Sequence, residues 1–144
     1  MEIAYHLVQT FTCRYDARED RLLLTLNYQD IEKRVDFWIT RSFLMKLIPI
    51  FFDYTVHESL LTQPSFSKDE QLPTDTTTYL LMQQHPLMLE SVDFQPMEYG
   101  TRVVLKNLQK SLFYEARLDQ NMMKNFVNLI LKSVPKFEWG LYNI

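Results

Sequence analysis

The spacing of apolar residues changes period twice, in the same order, and this limits the fold more than any other feature. Over residues 3–15, Tyr5, Leu7, Phe11, Cys13 and Tyr15 fall on one face. His6, Thr10, Thr12 and Arg14, with Val8, fall on the other. Such alternation predicts a half-buried strand. A charged turn at 16–20 leads to a second alternating run, Leu22, Leu24, Leu26 and Tyr28, and a polar turn at 29–33 leads to a third, Val35, Phe37 and Ile39. After Thr40 the period lengthens: Phe43, Leu44, Leu47, Ile48 and Phe51 have the spacing of a helix stripe. Thr40 is a suitable N-cap, and Pro49 is expected to kink or end that helix.

The sequence then repeats the order. Strands are predicted over 92–99, where Pro96 indicates an edge or bulge, and over 101–106 and 112–118. Asp119 caps a helix whose stripe is Met122, Met123, Phe126, Val127, Ile130, Leu131 and Val134, and Pro135 ends it. Between the halves, 62–74 is predicted as a loop and 75–84 as a middle helix, broken at His85-Pro86. The tail at 136–142 is expected to be a short strand or a docked segment.

Aligning Thr40 with Asp119 carries Val35, Phe37 and Ile39 onto Tyr114, Ala116 and Leu118, and Phe51 onto Ile130. Residues 21–24 match 102–105 if the second turn is two residues shorter. The expected fold class is therefore α+β: antiparallel sheets from two pseudo-repeated βββα units, with a middle helix and with helices packed on the sheet. One domain spans 1–144, with halves at roughly 1–56 and 90–136.

Composition removes several functions. The 144 residues include only Gly100 and Gly140, where average usage gives about ten. No G-x-G-x-x-G, G-x-x-x-x-G-K-[ST] or G-x-S-x-G motif can be built from these, which excludes the dinucleotide-binding, P-loop and α/β-hydrolase classes. The single cysteine, Cys13, allows no internal disulfide and suits a reducing compartment. The N-terminus lacks a signal-peptide pattern, and the longest apolar run, 47–52, is far too short to span a membrane. A cytoplasmic protein with no membrane association is expected.

Catalytic signals are absent from the pattern. His6, His57 and His85 are scattered with no metal-ligand spacing, so no metal or cofactor is expected. Cys13 lies on an apolar face and reads as an inert thiol. Asp16, Glu19, Asp20, Asp30 and Glu32 belong to turns, where carboxylates serve the backbone, while Asp36 stands mid-strand on the outer face.

The charge distribution says more. Residues 61–99 carry one cation against six carboxylates, and 100–136 carry seven cations against two, within a formal charge of −3. Trp38 projects opposite Phe37, away from the inferred core, and Trp139 follows the last helix. Large apolar groups outside a core mark contact surfaces. The expectation is a non-catalytic protein–protein interaction or assembly module, a homodimer, contacting its partner through Trp38, Phe113, Phe137 and Trp139. The alternative is a single-stranded nucleic-acid binder using Arg102, Lys106, Lys110, Phe113 and Arg117, a basic strand surface with an aromatic.

The strand at 21–24 and the string Val35-Asp36-Phe37-Trp38-Ile39-Thr40-Arg41 resemble small bacterial proteins of no assigned activity, in which a strand ends in a Trp-aliphatic-Thr-Arg step into a helix. The resemblance covers about 30 residues and implies no activity. In element order alone, repeated βββα units are also similar to single-stranded nucleic-acid-binding folds of the PUR and Whirly kind.

Overall fold

The first alternating stretch is two strands rather than one. In a computed structural model, which describes residues 4–55 and 86–141, β1 (Tyr5–Leu7) and β2 (Phe11–Asp16) belong to different sheets. The side chain of Asn27 fixes the break between them. Its Oδ1 accepts from the Gln9 N–H at 2.7 Å, and its Nδ2 donates to the carbonyls of Leu7 at 3.0 Å and Lys33 at 3.2 Å. Asn27 is buried and has φ 56°, a left-handed conformation that asparagine tolerates better than most residues.

The other strands are β3 (Arg21–Leu26), β4 (Val35–Ile39), β5 (Leu87–Met88), β6 (Ser91–Met97), β7 (Gly100–Asn107) and β8 (Leu112–Leu118). The sheet orders are β1-β8-β7-β6 and β2-β3-β4-β5. Each contains an antiparallel meander of three strands, as expected from the short polar turns. Each also contains one parallel pair, β1 with β8 and β5 with β4, so the sheets are mixed and not purely antiparallel. The short strand preceding each meander lies beside the last strand of the other. Edge strand β6 pairs only with β7 and contains Pro96, as the sequence suggested.

The second hairpins of the two meanders share a register, but the first do not. Leu22 faces Tyr15 whereas Thr101 faces Pro96, two residues beyond the equivalent Phe94. The expected repeat therefore holds for β3-β4 and β7-β8 only. Leu22 faces Ile39 in one and Thr101 faces Leu118 in the other, each residue of the second pair lying 79 positions after its counterpart. Thr40 and Asp119 differ by the same number. No shortening of the second turn is needed. By this register Leu23, and not Arg21, occupies the position of Arg102.

Helix α1 (Arg41–Thr55) starts at Thr40, whose Oγ1 accepts from the Phe43 N–H at 3.1 Å. It does not stop at Pro49. Pro49 and Met45 both lie on the exposed side, where water can satisfy the Met45 carbonyl that proline leaves without a donor. Helix α2 (Gln120–Ser133) starts at Asp119, whose Oδ1 accepts from the Met122 N–H at 2.8 Å. The tail forms a short helix, α3 (Lys136–Trp139), closed by Gly140 at φ 72°. The middle helix expected at 75–84 and the loop at 62–74 lie outside the described residues. Among the described residues no helix is long and apolar enough to cross a membrane.

One core lies between the inner faces of both sheets. Helix α2 packs on β2, β7 and β8, and α1 packs on α2. Aromatic contacts join the layers: Phe37 meets Tyr114 across the sheets at 5.6 Å, and Phe126 meets Phe11 at 5.1 Å and Phe51 at 6.5 Å. Burying each such ring contributes about 1.5–3 kcal/mol. Because Val103, Leu105, Tyr114 and Ala116 point into this core, alternation turns the residues between them outward.

Candidate nucleic-acid interface

The outward residues of the β1-β8-β7-β6 sheet stand in rows set by strand register. Tyr5 faces Phe113, which faces Lys106. Leu7 faces Glu115, which faces Val104, which faces Asp93. Arg117 faces Arg102, which faces Gln95. Four of the five residues expected for nucleic acid, Arg102, Lys106, Phe113 and Arg117, thus meet on one face. Lys110 lies beyond it in the exposed 108–111 turn, where its N–H donates to Asn107 Oδ1 at 2.9 Å.

A second ring joins them. Sequence alternation placed Tyr5 on the inner face with Phe11 and Cys13, but β1 crosses to the other sheet and Tyr5 is exposed. Its ring centre is 6.0 Å from that of Phe113, with the planes inclined at 62°. The Arg102 guanidinium lies 4.9 Å from the Tyr5 ring centre, and Lys106 Nζ lies 6.0 Å from that of Phe113. The signal in the sequence was Val8, the one apolar residue among the polar positions of the first stretch.

Carboxylates partly neutralise the cations. Glu115, buried with its side chain only 9% exposed, accepts from Arg117 Nε at 2.7 Å and from Arg102 Nη2 at 3.4 Å, and its Oε1 also lies 3.2 Å from the charged Arg102 Nε. Hydrogen bonds from Arg102 and then Arg117 hold its carboxyl below the usual carboxylate range. Lys106 pairs with Asp93. The three cations on the face outnumber its two carboxylates by one, and Lys110 adds another at its end. Arg117 is the most open, at 69% side-chain exposure.

The four residues expected to contact a protein partner are dispersed. Phe113 is on the face just described. Trp38 is half-buried on the outer face of the other sheet, with the Arg21 guanidinium 4.4 Å from its ring centre. Phe137 is exposed on α3. Trp139 is a correction: it is buried, and its Nε1 donates to Asp20 Oδ1 at 2.8 Å. Tyr15 meets its ring edge-on at 6.1 Å, and Arg41 lies 5.2 Å from it. Gly140 closes α3, and Leu141 after it packs against the core.

The remaining candidates are accounted for locally. His6 stacks on Tyr114 at 5.0 Å, while His57 and His85 lie outside the described residues. Cys13 is buried, and that burial pushes its thiol up to about 12. Asp16 Oδ1 accepts from the N–H groups of Arg18 and Glu19, a turn role as expected. Asp36 stands mid-strand on β4, as expected. It is buried, accepts from Thr25 Oγ1 at 2.6 Å and pairs with Arg34 at 3.4 Å, and desolvation raises its pKa. Among the described residues no three His, Cys, Asp or Glu side chains gather as a metal site.

No family model, curated protein or solved structure matches the chain.

Proposed function

We propose that the protein is a non-catalytic binding module whose working surface is the outer face of the β1-β8-β7-β6 sheet, and that its partner is a single-stranded nucleic acid. One observation carries this: two rings, Tyr5 with the Arg102 guanidinium over it and Phe113 with the Lys106 ammonium over it, stand on a sheet face together with Arg117. Bases stack on such rings whatever their sequence, and neighbouring cations take the phosphates. A protein partner through Trp38, Phe113, Phe137 and Trp139 has less support, because Trp139 is buried and Trp38 and Phe113 belong to different sheets.

The test is fluorescence anisotropy of labelled single strands of about 12 nucleotides, DNA and RNA, at low salt. Saturable binding is expected, strongly weakened in the Arg102→Ala/Arg117→Ala double variant and in Tyr5→Ala. Absence of binding to every strand refutes the proposal. Binding that survives these substitutions also refutes it, because the contact then lies elsewhere. A protein partner captured by the same face, with no nucleic-acid affinity, would place the module among protein-binding surfaces.

A further inference from the structure

We propose that the free edge of β6 takes up an extended peptide of another protein, one that alternates apolar and basic side chains, as a fifth strand of its four-stranded sheet. The site is the rim of the sheet and does not rest on the nucleic-acid proposal. Its backbone groups follow from the hairpin. Met97 faces Gly100 across a two-residue turn, Glu98-Tyr99. Such a turn closes on a pair that exchanges both backbone hydrogen bonds, and bonded and unbonded pairs alternate from there. Ser91, Asp93, Gln95 and Met97 therefore bond to β7. Val92, Phe94 and Pro96 turn their backbone groups to the other side, where among the described residues no strand pairs with β6. Pro96 fits that phase, because it has no N–H to offer β7. The edge thus presents N–H groups at Val92 and Phe94 and carbonyls at Val92, Phe94 and Pro96, which an added strand can pair.

A cleft of about 630 Å³ runs along this edge. Val92 and Phe94, which pack against the core, and Asp93 and Gln95, which point outward, all line it, so it follows the rim and not one face. Helix α1 forms the other wall through Ile50, Asp53 and Tyr54. The side chains of an added strand would alternate between the α1 side and the outer side. On the α1 side they meet Ile50 and the rings of Tyr54 and Phe94, whose centres are 5.9 Å apart, and these suit an apolar side chain. On the outer side they meet Asp93, whose side chain stays 45% exposed beside Lys106. Asp53, exposed on α1, is a second carboxylate on the cleft. Both favour basic side chains in the occupant. They disfavour a second copy of this chain, because a β6–β6 pair would bring like charges together and Pro96 would leave an opposing carbonyl without a donor.

The test is fluorescence anisotropy of a labelled peptide of about seven residues alternating lysine and valine, with a glutamate–valine peptide of equal length as control. Saturable binding of the lysine peptide alone is expected. At saturation the Val92 and Phe94 amides should exchange with solvent roughly tenfold or more slowly than in the free chain, because these are the edge N–H groups that gain a bond. The Asp53→Lys/Asp93→Lys variant should weaken binding roughly tenfold or more. If that variant proves unstable, Asp53→Lys alone, on the exposed side of α1, should weaken it by a smaller factor. No binding of the lysine peptide, or equal binding of both peptides, overturns the proposal. So does binding that leaves the Val92 and Phe94 amides unchanged or that survives the charge reversal. Slowed exchange of the same two amides on concentrating the chain without peptide would assign the edge to a second copy and overturn it as well.

Discussion

Replacing Asn27 with alanine should loosen the crossover on which the candidate site depends. The substitution removes a short bond to the Gln9 N–H and two bonds to the carbonyls of Leu7 and Lys33. It also puts alanine at φ 56°, which asparagine tolerates and alanine does not. A hydrogen bond contributes about 0.5–1.5 kcal/mol net, and a buried group left without a partner costs about 1–3. The Leu7 carbonyl and Gln9 N–H are near the surface and can turn to water, which keeps the sum near the low end. The expected loss is about 2–4 kcal/mol, or roughly 5–12 °C in the thermal midpoint of a chain this size. Part of it is local. Strand β1 has three exposed residues and pairs only with β8, so its amides should exchange with solvent much faster than those of β7, which is paired on both sides. Urea denaturation gives the total, and amide exchange shows where it falls. Because Tyr5 is on β1, nucleic-acid binding should weaken as well. A loss under about 0.5 kcal/mol, within the range of an ordinary surface change, refutes the view that Asn27 holds the crossover.

Three further outcomes follow. Cys13, buried and with its thiol pushed up to about 12, should not react with a disulfide reagent at neutral pH until the chain unfolds; rapid native labelling would contradict its placement. Glu115 binds its proton less tightly when folded than when unfolded, so its stabilising effect is full above its ordinary value of 4.5 and is lost as the pH falls below it. In Glu115→Gln the fall of the thermal midpoint on acidification should be shallower, and an unchanged fall would show that the arginine pairing does not matter. Finally, Trp38→Phe, which leaves only Trp139, should emit at short wavelength and resist acrylamide, whereas Trp139→Phe, leaving half-buried Trp38, should be quenched more readily. Equal quenching would refute the docked tail.

What could be read in the sequence follows from locality. Alternation and helix stripes report which residues face a core, and both caps, Thr40 and Asp119, hold their helices through hydrogen bonds to residues three positions on. Buried Cys13 and edge strand β6 with Pro96 were legible for the same reason. The exchange of β1 and β5 between sheets was not, because the parallel pairs are made by residues far apart in the chain, 108 positions for Tyr5 and Phe113 and 50 for Phe37 and Leu87, and leave no local trace. Tyr5 was therefore placed on the wrong face. Trp139 was misplaced because its burial depends on Asp20 and Tyr15, at the far end of the chain. The basic set was legible because Arg102, Lys106, Phe113 and Arg117 lie on one hairpin. The carboxylate of Glu115 between the arginines was visible in the sequence, but its role as their shared partner follows from the register.

The central claim is tested most directly by the salt dependence of single-strand binding. Each phosphate neutralised lowers the slope of log K against log salt by about 0.7. Arg102, Lys106, Lys110 and Arg117 together would give a slope near −3, and fewer if Glu115 and Asp93 keep their partners, so a value between about −1.5 and −3 is expected. A slope near zero, or no binding at low salt, would contradict the account.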